Sequence, residues 1–179
     1  PICRGSLLQM LGLAAVLFAI VTAVALFIPW MPTAASKEAD RIWLTYWVAT
    51  WMSIAIFSVV MAALIFAVIK FRAKDGDMSD GPPVHGHTGL EIVWTTVPFI
   101  LVTALSVIAA VVTAQNSNAG KDPLIVKATA QQFAWQFTYP NDQTYGELRL
   151  PKDRTVKLLL TSNDVIHSFW VPQFGQKQD

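Results

Sequence analysis

Three long apolar runs, free of charge, organise the first two-thirds of the chain: Leu7 to Trp30, Ile42 to Ile69 and Ile92 to Ala114. Each exceeds the ~20 residues that cross a bilayer as a helix. Helix is the expected form, because backbone polar groups inside lipid must be satisfied within the segment. Trp30 closes the first run, Trp43, Tyr46, Trp47 and Trp51 open the second, and Trp94 stands near the start of the third. That placement fits an interfacial aromatic belt.

The pattern changes after residues 115–123, a polar linker ending in Gly120-Lys121-Asp122-Pro123. Beyond it the period is two, the signature of a half-buried strand. Phe133, Trp135, Phe137 and Tyr139 fall on one side of the alternation, and Gln132, Ala134, Gln136 and Thr138 on the other. Pro140-Asn141-Asp142 predicts a turn. Further strands are expected over Glu147–Leu150, Thr155–Thr161 and Val165–Val171. Short strands at this spacing predict a β-sandwich or barrel, of which only four strands are expected here. The chain therefore divides into an N-terminal apolar segment at 1–36, a two-helix transmembrane hairpin at 37–120 and an all-β domain at 121–179.

Composition sharpens this division. Charged residues make up 14% of the chain, against about 25% in ordinary globular proteins. Thirteen of the 25 charged residues lie between Lys121 and Asp179, so that part reads as water-soluble. A net charge of +1 without a basic stripe gives no basis for nucleic-acid binding. Cys3 is the single cysteine, which excludes an internal disulfide; it reads as an ordinary thiol beside a membrane segment rather than a lipidation site, because the apolar run follows it. Arg4, Lys70, Arg72 and Lys74 point the N-terminus and the second loop toward the cytoplasm. Lys37 and Arg41 weaken that bias. Residues after Ala114 then lie outside. Thr33-Ala34-Ala35 could end a signal peptide, but the first run is long for the ~7–15-residue apolar core of one, so a retained span is expected. A chain beginning at Pro1 and ending at Asp179 is expected to be processed or truncated.

Few residues could carry chemistry. His167, expected in mid-strand, suits copper as an imidazole, but taken alone reads more readily as a hydrogen-bonded core histidine. Glu91 opens the third run. An ionisable group at a membrane segment is a functional candidate, and a carboxylate at a helix N-terminus is also favoured simply by the helix dipole. His85 and His87, in Pro82-Pro83-Val84-His85-Gly86-His87, read as a solvated loop. Pro98 reads as a tolerated kink.

Four motifs in order carry a family resemblance: Leu90–Pro98, Gln131–Pro140, Leu150–Arg154 and Ser162–Phe174. Together, over about residues 37 to 179, the chain resembles subunit II of cytochrome c oxidase in its bacterial form. The resemblance implies a cupredoxin-like β-barrel on the outer face of the cell membrane, incomplete in this chain. It implies a dinuclear copper centre fed by cytochrome c, which passes electrons to haem in subunit I. It places the first copper-ligating histidine at His167, with the bridging thiolates expected beyond residue 179. Glu91 matches a glutamate at the entrance of a proton path into subunit I. The tryptophan where electrons enter in that family falls at Phe133, with Trp135 the next aromatic, and Asp164 matches an acidic position near the donor-facing surface.

The implied function is that of the electron-accepting subunit of a proton-pumping terminal oxidase, with oxygen reduction taking place in subunit I. Two alternatives stand beside it. A quinol oxidase subunit II shares the fold without the copper ligands, and the resemblance sets it apart by replacement of the histidine that is present here as His167. A truncated, non-catalytic membrane scaffold is the other.

Overall fold

The computed structural model describes residues 4–73, 76, 83 and 85–179. Cys3, Lys74, Pro82 and Val84 lie outside the described residues. Three helices come first: α1 (Arg4–Phe27), α2 (Lys37–Lys70) and α3 (Thr88–Asn116). All three are long and apolar enough to cross a membrane, as the apolar runs predict. Six short strands follow: β1 (Leu124–Gln131), β2 (Ala134–Thr138), β3 (Thr144–Tyr145), β4 (Val156–Ser162), β5 (Phe169–Val171) and β6 (Gln176–Gln178), with a 3-10 turn at Pro172–Phe174 between the last two.

The chain forms two compact units. One holds the residues up to Met31 together with Leu44–Ile108; the other holds Pro32–Trp43 and Ala109–Asp179. In the helical unit Phe18 of α1 packs against Trp51 of α2, ring centroids 6.5 Å apart, and Trp47 continues the stack toward the start of α2 at 6.3 Å. Ile54, Ser58 and Ala62 are the buried positions of α2 in this unit, spaced by four so that they share one face. Ser58 Oγ donates to Ile54 O at 2.7 Å, which satisfies a hydroxyl that would otherwise be buried without a partner. Trp30 Nε1 donates to Ala25 O, supplying a partner to one of the carbonyls that the end of α1 leaves open. Pro98 sits inside α3 without ending it.

In the second unit the start of α2 meets the end of α3. Arg41 Nη1 donates to Asn116 Oδ1 at 3.0 Å, and Asn116 Nδ2 donates to Glu38 O at 3.4 Å. These bonds tie the first turn of α2 to the last turn of α3. Ser36 is the N-cap of α2, its Oγ accepting from Ala39 N at 3.0 Å, and Glu38 and Asp40 in the first turn complement the helix dipole. Lys37 and Arg41 thus belong to α2 and not to the loop before it.

The strands make a four-stranded sheet of order β3-β2-β1-β4 and a separate β5-β6 pair. β1 pairs antiparallel with β2, from Lys127 opposite Thr138 to Gln131 opposite Ala134. It pairs in parallel with β4, from Leu124 opposite Val156 to Ala130 opposite Ser162. Val126, Ala128 and Ala130 point inward from β1, and Phe137 meets them at 5% exposure. Trp135, Val156, Leu158, Leu160 and Phe169 pack around this nucleus. Truncating Phe137 to alanine would cost about 3–5 kcal/mol, the range for a buried aromatic. These two sheets do not close into a barrel.

Four strand expectations need correction. β1, β3 and β6 were not among the expected strands, so six form where four were expected. The predicted strand at Glu147–Leu150 does not form. There Tyr139 Oη bonds both the N–H and the carbonyl of Arg149 at 2.8 Å, so a side chain takes the bonds that a ladder would use. Phe133 does not share the face of Trp135 and Phe137: it stands in the β1–β2 turn at 97% exposure. His167 is not in mid-strand either. It precedes β5, because Ser162, Asp164 and Val165 bond to one another locally and delay the start of the strand to Phe169.

Candidate functional site

The turn after β4 builds the site. Ser162 is the last residue of β4, and Asn163 N donates back to Ala130 O at 3.0 Å, holding the turn against the end of β1. Asp164 is thereby brought under the β1–β2 turn. Its Oδ2 accepts from Gln132 N at 2.6 Å. Its Oδ1 accepts from Val165 N at 2.7 Å and from Ser162 Oγ at 3.2 Å, and it lies 2.7 Å from His167 Nε2. The Gln132 amide, then the His167 ring, hold the Asp164 carboxyl below its usual value, at about 2. Hydrogen bonds to the charged form cause a shift in this direction.

The contact between the two side chains assigns the hydrogen on the imidazole. At neutral pH Asp164 is ionised and can only accept. His167 Nε2 must then carry the hydrogen and donate it. In the neutral imidazole the lone pair is left on Nδ1, which no hydrogen bond engages among the described residues. The His167 side chain is 23% exposed and that of Asp164 32%, so the pair is partly shielded.

One aromatic ring packs against the imidazole. Trp135 meets its face edge-on with centroids 6.3 Å apart. Trp135 in turn contacts Phe169 at 5.3 Å and stacks on Phe137 at 6.5 Å. His167, Trp135 and Asp164 are therefore brought together as a cluster. Phe133 stands apart on the neighbouring turn, beside Gln132. Val165 and Ile166, at 54% and 83% exposure, flank Asp164 and with Phe133 leave this end of the domain apolar. Ser162 and the Gln132 amide are partners that residue types alone did not point to. The Ser162-Asn163-Asp164 turn was their one trace in the sequence.

A carboxylate that orients an imidazole through one nitrogen while the other faces outward is the usual support of a metal-bound histidine. The described residues fit one position of a copper site and not the whole of it. Among them no group of three or more His, Cys, Asp or Glu side chains could hold a metal ion.

Glu91 belongs to the helical unit. Its Oε1 accepts from His87 N at 3.2 Å, and His87 Nδ1 accepts from Leu90 N at 3.2 Å. The pair makes a reciprocal cap of the kind that satisfies the open amides at a helix start. His87 is thus a cap for α3, while His85 lies exposed in the loop before it.

Comparison with known proteins adds an independent line. A family model described as cytochrome c oxidase subunit II, transmembrane domain, matches residues 22–111. Cytochrome c oxidase subunit 2 of Synechocystis sp. is 31% identical over 197 aligned positions, covering 83% of this chain and 59% of the relative. The protein of the same name from Alkalihalophilus pseudofirmus is 40% identical, covering 70% of this chain and 39% of its own length. Quinol oxidase subunit 2 of Bacillus subtilis is 36% identical, covering 67% and 40%. The chain spans about three-fifths or less of the length of these relatives.

Proposed function

Because the chain belongs to the cytochrome c oxidase subunit II family, we propose that it is the electron-accepting subunit of a proton-pumping terminal oxidase. In this reading it takes electrons from cytochrome c through a dinuclear copper centre and delivers them to haem in subunit I. The β domain lies on the outer side of the cell membrane, and the three helices anchor it beside subunit I. The observation that carries the reading is the open Nδ1 of His167, with Nε2 tied to the ionised Asp164 at 2.7 Å.

Copper, when bound, would supply the redox couple. This chain's own residues do the rest. His167 offers one imidazole ligand, and Asp164 fixes its tautomer and the plane of its ring. Trp135, backed by Phe137 and Phe169, covers one side of that ring. Phe133, exposed on the β1–β2 turn, is presented to the donor, while Trp135 packs against the His167 ring. The remaining ligands, thiolates among them, would lie beyond residue 179. Glu91 serves proton uptake in addition to capping α3. Its carboxylate is held by a backbone amide at a helix start.

Relatives named quinol oxidase subunit 2 match almost as well as those named cytochrome c oxidase subunit 2. His167 supports the copper-bearing type, since a quinol oxidase has no use for a ligand-ready imidazole here. Steady-state turnover of the assembled oxidase with reduced cytochrome c, set against turnover with a quinol, tests the choice. Turnover with cytochrome c is expected. Turnover with quinol alone would replace this reading by the quinol oxidase one.

A further inference from the structure

The hairpin that follows His167 ends in a contact of its own. β5 and β6 pair from Phe169 opposite Gln178 to Val171 opposite Gln176, with the Pro172–Phe174 turn at the tip. At that tip Gln173 O accepts from Ala35 N at 2.8 Å. Gly175 follows in the left-handed region, at φ 66°. A side chain added there would meet Ile42 Cδ1 and the Trp43 ring at 3.3 Å. Trp43 is itself fixed, its Nε1 donating to Pro32 O at 3.2 Å. The segment from Pro32 to Trp43 is therefore a built seat, and the hairpin tip fills it.

Two features show that Gly175 is more than a turn residue. Its φ is one that residues with a side chain rarely adopt. The face where a side chain would project is occupied by the indole of Trp43 and by Ile42. Close approach and backbone conformation both disfavour anything larger. Between the seat and His167 run the short turn at Pro172–Phe174 and the extended strand β5. Strands rise about 3.3 Å per residue, and a paired strand does not stretch, so the seat sets the position of His167 relative to the start of α2.

We propose that Gly175 and Trp43 are positioning residues for electron transfer, with the β5–β6 hairpin acting as a strut between the α2 seat and His167. This rests on the copper reading above. Transfer between redox centres falls steeply with separation, and a misplacement of about 1 Å can cost a reaction about 100-fold. A loose strut would therefore leave the copper ligand in place chemically while displacing it in space.

The test uses the assembled, full-length oxidase with Gly175→Val, and with Trp43→Ala as a second variant that leaves the backbone of residue 175 untouched. Three quantities are read: hydrogen exchange at the Ala35 amide, the copper resonance spectrum, and the rate of copper-to-haem transfer after flash reduction. Both variants are expected to speed Ala35 exchange, keep the spectrum and the KM for the donor, and slow internal transfer by about tenfold or more. Faster exchange with unchanged transfer would overturn the positioning role. Unchanged exchange in both variants would overturn the seat itself. A parental oxidase lacking the copper spectrum would instead overturn the copper reading, and the proposal with it.

Discussion

Asp164 and His167 stand 2.7 Å apart, Oδ1 to Nε2, three residues from each other in a turn that three further donors hold to the same carboxylate. The pair decides which imidazole nitrogen faces outward. Removing the carboxylate should therefore weaken a metal at Nδ1 without removing a ligand. Asp164→Ala is expected to lower copper affinity of the full-length protein by about 10- to 100-fold, the usual cost of losing such a partner. Asp164→Asn, which can still accept through its amide oxygen, should lie between. A copper titration followed by resonance spectroscopy checks this; equal affinity in all three proteins would show that the carboxylate does not orient the ligand.

The same carboxyl fixes a pH dependence. Its folded value is depressed from the ordinary 3.8 to about 2. A group depressed in the folded state stabilises the fold above its unfolded value and loses that contribution as pH falls through the folded one. In copper-free protein the contribution should be complete above pH 3.8 and lost between there and about 2. Thermal unfolding of the parent and of Asp164→Asn should converge over that window. A constant difference between them down to pH 2 would contradict the assignment.

The N-terminal helix is expected to remain in the mature protein. Ala35, the last residue of the candidate cleavage motif, donates to Gln173 O, and Pro32 accepts from Trp43. Cleavage after Ala35 would remove both residues from the seat. Intact mass spectrometry of protein purified from membranes should give a species containing α1. A chain starting at Ser36 would contradict this.

The hairpin expected from the apolar runs sets a topology. With Cys3→Ser as background, a cysteine at Arg72 and a cysteine at Asn141 should react with an impermeant reagent from opposite sides of the membrane. Labelling from the same side would refute it.

Glu91 separates capping from proton uptake. Glu91→Gln retains an oxygen able to accept from the His87 amide, so the cap and the thermal stability should survive. If the carboxylate carries protons, turnover of the assembled oxidase should fall by about 10-fold or more, within the range for loss of a general acid–base group. Unchanged turnover and pumping across pH would leave Glu91 a cap alone.

The helices were legible because lipid permits no alternative: three charge-free runs of sufficient length admit little else. The β domain was legible only where large side chains alternate. Phe137 and Trp135 announced β2. Val126, Ala128 and Ala130 form the inner face of β1, but alanine carries too weak a contrast to mark a strand, and a parallel partner such as β4 leaves no local turn signal. Residues Glu147–Leu150 alternate as a strand would, yet a single tyrosine hydroxyl satisfies Arg149 instead. At the site, the residue types of His167 and Asp164 were visible in the sequence. Their partnership through a turn, and the role of the Gln132 amide, depend on backbone geometry that no side-chain pattern records.

The reading as a copper-bearing, electron-accepting subunit is tested most directly by electron paramagnetic resonance of the full-length oxidase, with and without His167→Ala. A mixed-valence copper signal in the parent, abolished or converted to a single-copper spectrum in the variant, is the expected result. Absence of that signal from the parent, or its persistence unchanged without His167, would contradict the reading.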